Sequence, residues 1–211
     1  MTIKQKLENY WYHYKWHTIL GVFIAFTLVV GITQCSTVQP YDQNCVLYCN
    51  RVVHDNGVLA LEQELTKRIG DHDKNGETRF EVTNVSYNNA QNTAISNSQK
   101  LLQLASSSDY VLYVVDEHGY EYLMGNGMFR TCDFLPDKDH TAWNWNGSVL
   151  QQSLQQYNLP KDLYFCIRVI EDPDQQNDPA VQKRVEQAKQ LIQKLIAEGL
   201  APTTQSPTDV K

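Results

Sequence analysis

The chain has 211 residues, 42% of them hydrophobic and 20% charged, and a formal net charge of −6. This suits one folded domain with appendages and excludes a wholly disordered chain. Lys4, Lys6 and Lys15 outweigh Glu8 up to Gln34, so the remainder carries about −8; such an acidic part lacks the basic footprint of a nucleic-acid binder.

The first 17 residues alternate lysines with Ile3, Leu7, Tyr10 and Tyr14 at helical steps, which suits a segment lying along the inner leaflet before turning in. From Thr18 to Tyr41 no side chain is charged, and residues 19–32 are almost wholly apolar. That run is short for a span, but Thr18, Thr33, Gln34 and Cys35 extend it, since hydroxyls bond back to the helix. The aromatic block at residues 10–16 has the character of an interfacial belt, and the lysines flanking the apolar run stand only on its N-terminal side. The sequence therefore predicts an uncleaved anchor with a cytoplasmic N-terminus. A cleaved signal peptide lacks a clear small-residue site, and a lipoprotein would use Cys35 after an unsuitable Gln34. The expected organisation is a cytoplasmic stub at 1–17, a transmembrane helix at 18–35, a linker at 36–44, an extracytoplasmic α/β domain at 45–200 and a disordered tail at 201–211.

Within that domain strands and helices alternate. Strands are expected at 45–49, 80–87, 110–115 and 163–170. Helices are expected at 58–69 with Gly70 as C-cap, at 93–106 with Ala94, Ile95, Leu101, Leu102 and Ala105 inward, at 117–124, at 148–157 and at 180–197. Such alternation predicts a mostly parallel sheet sandwiched by helices, with any ligand beyond the carboxyl ends of its strands. Cys45, Cys49 and Cys166 read as small buried hydrophobes; a disulfide through Cys132 is the alternative, and an odd cysteine count leaves one thiol unpaired in the monomer.

The strand ends carry Asn50, Arg51, His54 and Asp55, then Asn88 and Asn89, then Asp116, Glu117 and His118, then Glu171 and Asp172. In a parallel sheet all would line one edge as candidate ligand contacts. No nucleophile elbow, phosphate loop or zinc helix motif accompanies them, so no residue is assigned a catalytic role. At the opposite edge Asp71, Asp73, Asn75 and Glu77, interrupted by Gly76, match the start of an oxygen-ligand calcium loop. Position 12 is Val82 instead of Glu, and Asp or Asn before Gly is also ordinary turn chemistry. A plain turn and a weak calcium site both remain open. Trp143 and Trp145 read as packing in a long loop, with stacking on a sugar or partner as the alternative.

Residues 98–135, SQKLLQLASSSDYVLYVVDEHGYEYLMGNGMFRTCDFL, resemble a stretch of the extracytoplasmic solute-binding proteins of ABC transporters. The likeness implies a fold like one lobe of such a protein. The sequence KLENYWYHYKWHT before an apolar segment, together with the Asp/Asn-Gly loop, is similar to uncharacterised membrane-anchored proteins of gut Firmicutes, which implies a bacterial envelope location. The expectation is a non-catalytic, membrane-tethered binding or interaction domain, working with a membrane protein complex or a small-molecule ligand. The alternative is a structural or assembly protein of the envelope. An enzyme, the third reading, would need His54 or His118 within hydrogen-bond reach of Asp55, Asp116 or Glu117.

Overall fold

The computed structural model describes residues 3–37, 41–72, 74–85 and 91–199, with side chains described in these ranges except at 5–9, 34–37 and 91–96. Asp73, Asn88, the side chain of Cys35 and the tail at 201–211 lie outside the described residues. The chain forms two compact units, Met1–Pro40 and Tyr41–Lys211.

The first unit is helix α1, Ile3–Thr37. At 1.5 Å per residue it extends about 52 Å, well beyond a hydrocarbon layer of about 30 Å. Its stretch Tyr10–Thr33 is long and apolar enough to cross a membrane. Thr18, Thr27 and Thr33 donate to the carbonyls of Tyr14, Phe23 and Val29 at 3.0, 2.8 and 2.9 Å, so the hydroxyls lose their polarity to the helix itself. Tyr10 and Tyr14 stack with centroids 5.3 Å apart. The stub and the apolar segment are one unbroken helix; the turn expected between them is not there, because no Pro, Gly pair or other breaker separates them.

The second unit is built on a five-stranded sheet in the order β2-β1-β3-β5-β4. Its strands are β1 (Gln43–Tyr48), β2 (Phe80–Asn84), β3 (Leu112–Val115), β4 (Ala142–Asn144) and β5 (Tyr164–Ile167). β1 pairs in parallel with β2 and β3, whereas β5 is antiparallel to both β3 and β4. The expected mostly parallel sheet is thus mixed. Only β5 is reversed, so β4 runs with the first three strands.

Helices α2 (Asp55–Thr66), α5 (Val149–Ser153) and α7 (Pro179–Ala197) enclose one apolar layer with Cys45, Leu47, Leu112, Val114, Phe165 and Ile167. Helices α3 (Gln91–Ser106) and α4 (Glu117–Gly125) contribute Leu101, Tyr120 and Leu123 to the second layer, with Val46, Tyr113, Val115, Tyr164 and Cys166. Successive strand residues enter opposite layers, as the two-residue period of a strand requires. The short α6, Pro173–Gln176, precedes α7.

The inward stripe of α7 is as expected: Val181, Val185, Ala188, Leu191, Ile192 and Leu195 are all buried. In α3 the packing differs. Leu102 points out, and Leu104 packs inward beside Leu101. Helix α2 ends at Thr66 with Lys67 as its cap, three residues before the expected Gly70. The expected helix at 148–157 divides into α5 and a 3-10 turn at Gln155–Tyr157. Cys45, Cys49, Cys132 and Cys166 are buried free thiols. Burial raises all four thiol pKa values.

Arg168 is 4% exposed and donates to the carbonyls of Ala105 and Ser107, the second at 3.0 Å. These lie at the C-terminus of α3, where carbonyl dipoles converge and a cation is favoured.

Candidate functional site

The carboxyl ends of β1, β2, β3 and β4 share one edge with the start of β5. His54 precedes α2 as its N-cap residue, and Asp55 is the first residue of that helix; both are exposed. Asp55 there complements the positive end of the helix. Asp116 and Glu117 follow β3 directly, and His118 is exposed on the first turn of α4. Glu171 and Asp172 do not join them. Because β5 is antiparallel, they emerge at the opposite edge, where Asp172 caps α6 through the amide of Asp174 at 2.9 Å.

Each carboxylate at this edge has a defined task. Asp116 Oδ1 accepts from the amide of Gly119 at 2.8 Å, capping α4, and Oδ2 accepts from the amide of Asn50 at 2.5 Å. Glu117 pairs with Lys138, whose ammonium also lies 5.3 and 5.1 Å from the ring centroids of Tyr120 and Tyr164. The Lys138 hydrogen bond, and after it one from Tyr164, holds the Glu117 carboxyl below its usual pKa.

Lys138, Asp139 and His140 have φ of 50°, 55° and 64°, three consecutive left-handed residues without a glycine. Such backbone costs roughly 1–2 kcal/mol per residue and needs external bracing. Thr141 Oγ1 donates to Lys138 O at 2.6 Å and shares a 2.5 Å bond with the hydroxyl of Tyr120; His140 O accepts from the amide of Cys132 at 2.7 Å.

Sequence reasoning missed the role of Lys138. Its partner is 21 positions away, and nothing in the local pattern marks it.

Among the described residues one concave feature at this edge lies toward β4. A hollow of about 500 Å³ opens between Arg51, the residues after β4 and those leading into β5. Arg51 Nη2 donates to the carbonyl of Asn158 at 2.7 Å, across a backbone that turns left-handed at Asn158. Trp145 Nε1 and Gln151 Nε2 both donate to the carbonyl of Lys161, at 2.8 and 2.6 Å. Both tryptophans of the 143–145 segment are buried, as packing requires, although Trp143 belongs to a strand instead of a loop.

At the other edge the loop before β2 is tied to the sheet by Asp42. Its carboxylate accepts from the amides of His72 at 2.7 Å and Arg79 at 2.9 Å. Asp71 accepts from the amides of Asn75 and Gly76 at 3.2 and 2.9 Å, and Asn75 Oδ1 accepts from the amide of Glu77 at 2.7 Å. Lys74 and Gly76 take φ of 60° and 88°, the second of which is easy only for glycine. Among the described residues no group of three or more His, Cys, Asp or Glu side chains converges as a metal site.

Fold and edge together define an α/β unit with a mixed open sheet, in a chain that also carries an apolar helix of membrane-spanning length. Compared with protein-family models, curated proteins and solved structures, the chain matches none.

Proposed function

We propose that this protein is a membrane-anchored extracytoplasmic binding or interaction domain that performs no catalysis, built like one lobe of an ABC-transporter solute-binding protein. One observation carries the reading: the hollow of about 500 Å³ at the strand carboxyl edge, within the size range of small-ligand sites. The candidate contacts His54, Asp55, Asp116, Glu117 and His118 follow strands that end at this edge but do not line the hollow, and Asn88 lies outside the described residues. Lysines on only the N-terminal side of the apolar stretch favour a cytoplasmic N-terminus. A single lobe held at the membrane is better placed to work beside a membrane partner than to diffuse and scavenge.

The test is a melting-temperature screen of the full-length protein in nanodiscs against a metabolite panel. A saturable rise with one compound class supports a small ligand. A flat response across the panel removes that version. Leu102 and Tyr122, 69% and 56% exposed on two helices of the same sheet face, favour the assembly-protein reading in that event. Cross-linking pull-down from intact membranes would then identify the partner. Sequencing the mature N-terminus checks the anchor; a start at or just after Cys35 overturns it and leaves the exported domain standing.

A further inference from the structure

We propose that the hollow beside β4 takes a small oxyanion, a carboxylate or phosphate group carried on a compact body. The inference rests on the reading of this hollow as a ligand site and adds the chemistry of the ligand. Two of the ten side chains lining the hollow are charged, Arg51 and Lys161, and both are cations. Asp162, next to Lys161, reaches the rim, where its carboxylate accepts from the lining Asn146 at 3.2 Å, so two cations against one carboxylate leave the recess with one net positive charge in a part of the chain that carries about −8.

Arg51 supplies the sharper argument. One of its five N–H donors is spent on the carbonyl of Asn158 at 2.7 Å, which fixes the guanidinium. Its Nε–H is buried and has no hydrogen-bond partner among the described residues. That N–H is shielded from solvent and so out of a ligand's reach as the side chain stands; a carboxylate or phosphate oxygen is offered the terminal Nη donors, to which it makes a charge-assisted hydrogen bond.

The opposite wall is fixed before any ligand arrives. Trp145 and Gln151 hold the Lys161 carbonyl, and Gln151 Oε1 accepts from the amide of Gly147 at 2.7 Å. The second cation is therefore displayed from a braced backbone, which lowers the ordering cost of binding. Leu154, Leu159 and Pro160 give the remaining wall an apolar character suited to the body of the ligand.

The experiment uses the full-length chain in phosphatidylcholine nanodiscs, whose neutral net charge avoids competing anionic lipid. Melting temperature is followed against sodium benzoate, inorganic phosphate and neutral benzamide at constant ionic strength. The expected result is a saturable rise with benzoate or phosphate and none with benzamide; which anion acts distinguishes the two sources of the oxyanion. Arg51→Gln should weaken the response roughly tenfold or more, the equivalent of one charge-assisted hydrogen bond. Lys161→Gln should weaken it about threefold, as loss of a more exposed charge does, while leaving the bonds to its own backbone intact. Lys189→Gln, at a different hollow, should leave it unchanged. Equal responses to benzoate and benzamide, or full affinity in both Arg51→Gln and Lys161→Gln, overturn the oxyanion assignment while the binding-domain reading stands. A response that never saturates, or none to any probe, also overturns it; if the metabolite panel is flat too, the small-ligand reading falls with it.

Discussion

Asp116 joins two strands and a helix through one carboxylate. Oδ2 takes the amide of Asn50, just past β1, at 2.5 Å, while Oδ1 takes the amide of Gly119 inside α4 at 2.8 Å. The edge that carries the candidate contacts is held in shape by this bond pair. Asp116→Ala should cost about 1–2 kcal/mol, since an N-cap is lost and the Asn50 amide is left to water. Asp116→Asn keeps one acceptor oxygen and should cost about half as much. At the same junction a Cβ on Gly119 would lie 3.0 Å from the carbonyl oxygen of Tyr48. Alanine ordinarily favours a helix over glycine by about 1 kcal/mol. Here backbone blocks it, so Gly119→Ala should destabilise by about 1–3 kcal/mol. Urea denaturation checks all three variants.

The exposed edge of β2 is closed by side chains. Glu62 Oε2 accepts from the amide of Val82 at 3.2 Å, and Lys100 Nζ donates to the carbonyl of Asn84 at 3.0 Å. An uncapped edge invites pairing with another chain. The double variant Glu62→Ala, Lys100→Ala should raise light scattering on incubation at a nearly unchanged melting temperature. Glu62→Gln keeps an acceptor oxygen and should stay monodisperse.

Two glutamates should give opposite pH signatures. Burial, followed by the charge of Glu62, raises the Glu81 pKa against the pull of Tyr110 and Lys100. A carboxyl raised in the fold contributes stability below its unfolded pKa, about 4.3, and loses it as pH rises through the folded value. Glu81→Gln should therefore stabilise at pH 7 and be neutral near pH 4. Glu117 is lowered by Lys138, so its contribution is present above about pH 4.3 and is lost as pH falls through the folded value. With a side chain 46% exposed, it should be worth only a few tenths of a kcal/mol. Glu117→Gln should lower stability by that amount at pH 7 and match the parent at low pH. Urea melts from pH 2 to 8 separate the two trends.

The loop at 71–77 should melt at the same temperature in calcium and in chelator. The Asp71 and Asn75 oxygens already close the turn on the amides of Asn75, Gly76 and Glu77, and position 12 is the buried Val82. Asp71→Ala should cost about 1 kcal/mol in either condition, the value of lost turn hydrogen bonds. A calcium-dependent rise in melting temperature, absent in Asp71→Ala, would instead assign the metal role.

Much of the helical framework was legible because period and caps are local. The stripe from Val181 to Leu195 follows from spacing, and the start of α4 at Glu117 is where the sequence placed it. The exchange of Leu102 for Leu104 on α3 was not legible, since neighbouring leucines compete for one face and only the partner surface decides. Strand β4 escaped notice because three residues are too few to show a period.

The sequence by itself determined the apolar helix with its one-sided lysines, the alternation of strands and helices, and the burial of Cys45, Cys49 and Cys166, all of which depend on residue type and near spacing. Tertiary structure decided the direction of β5, and with it which side chains reach the carboxyl edge. It moved Glu171 and Asp172 away, and it brought Arg51 and Lys161 to one hollow and Lys138 to Glu117. Side-chain period fixes which face of a strand is buried but is the same for a parallel and an antiparallel neighbour; direction is set by connections and pairing over tens of residues.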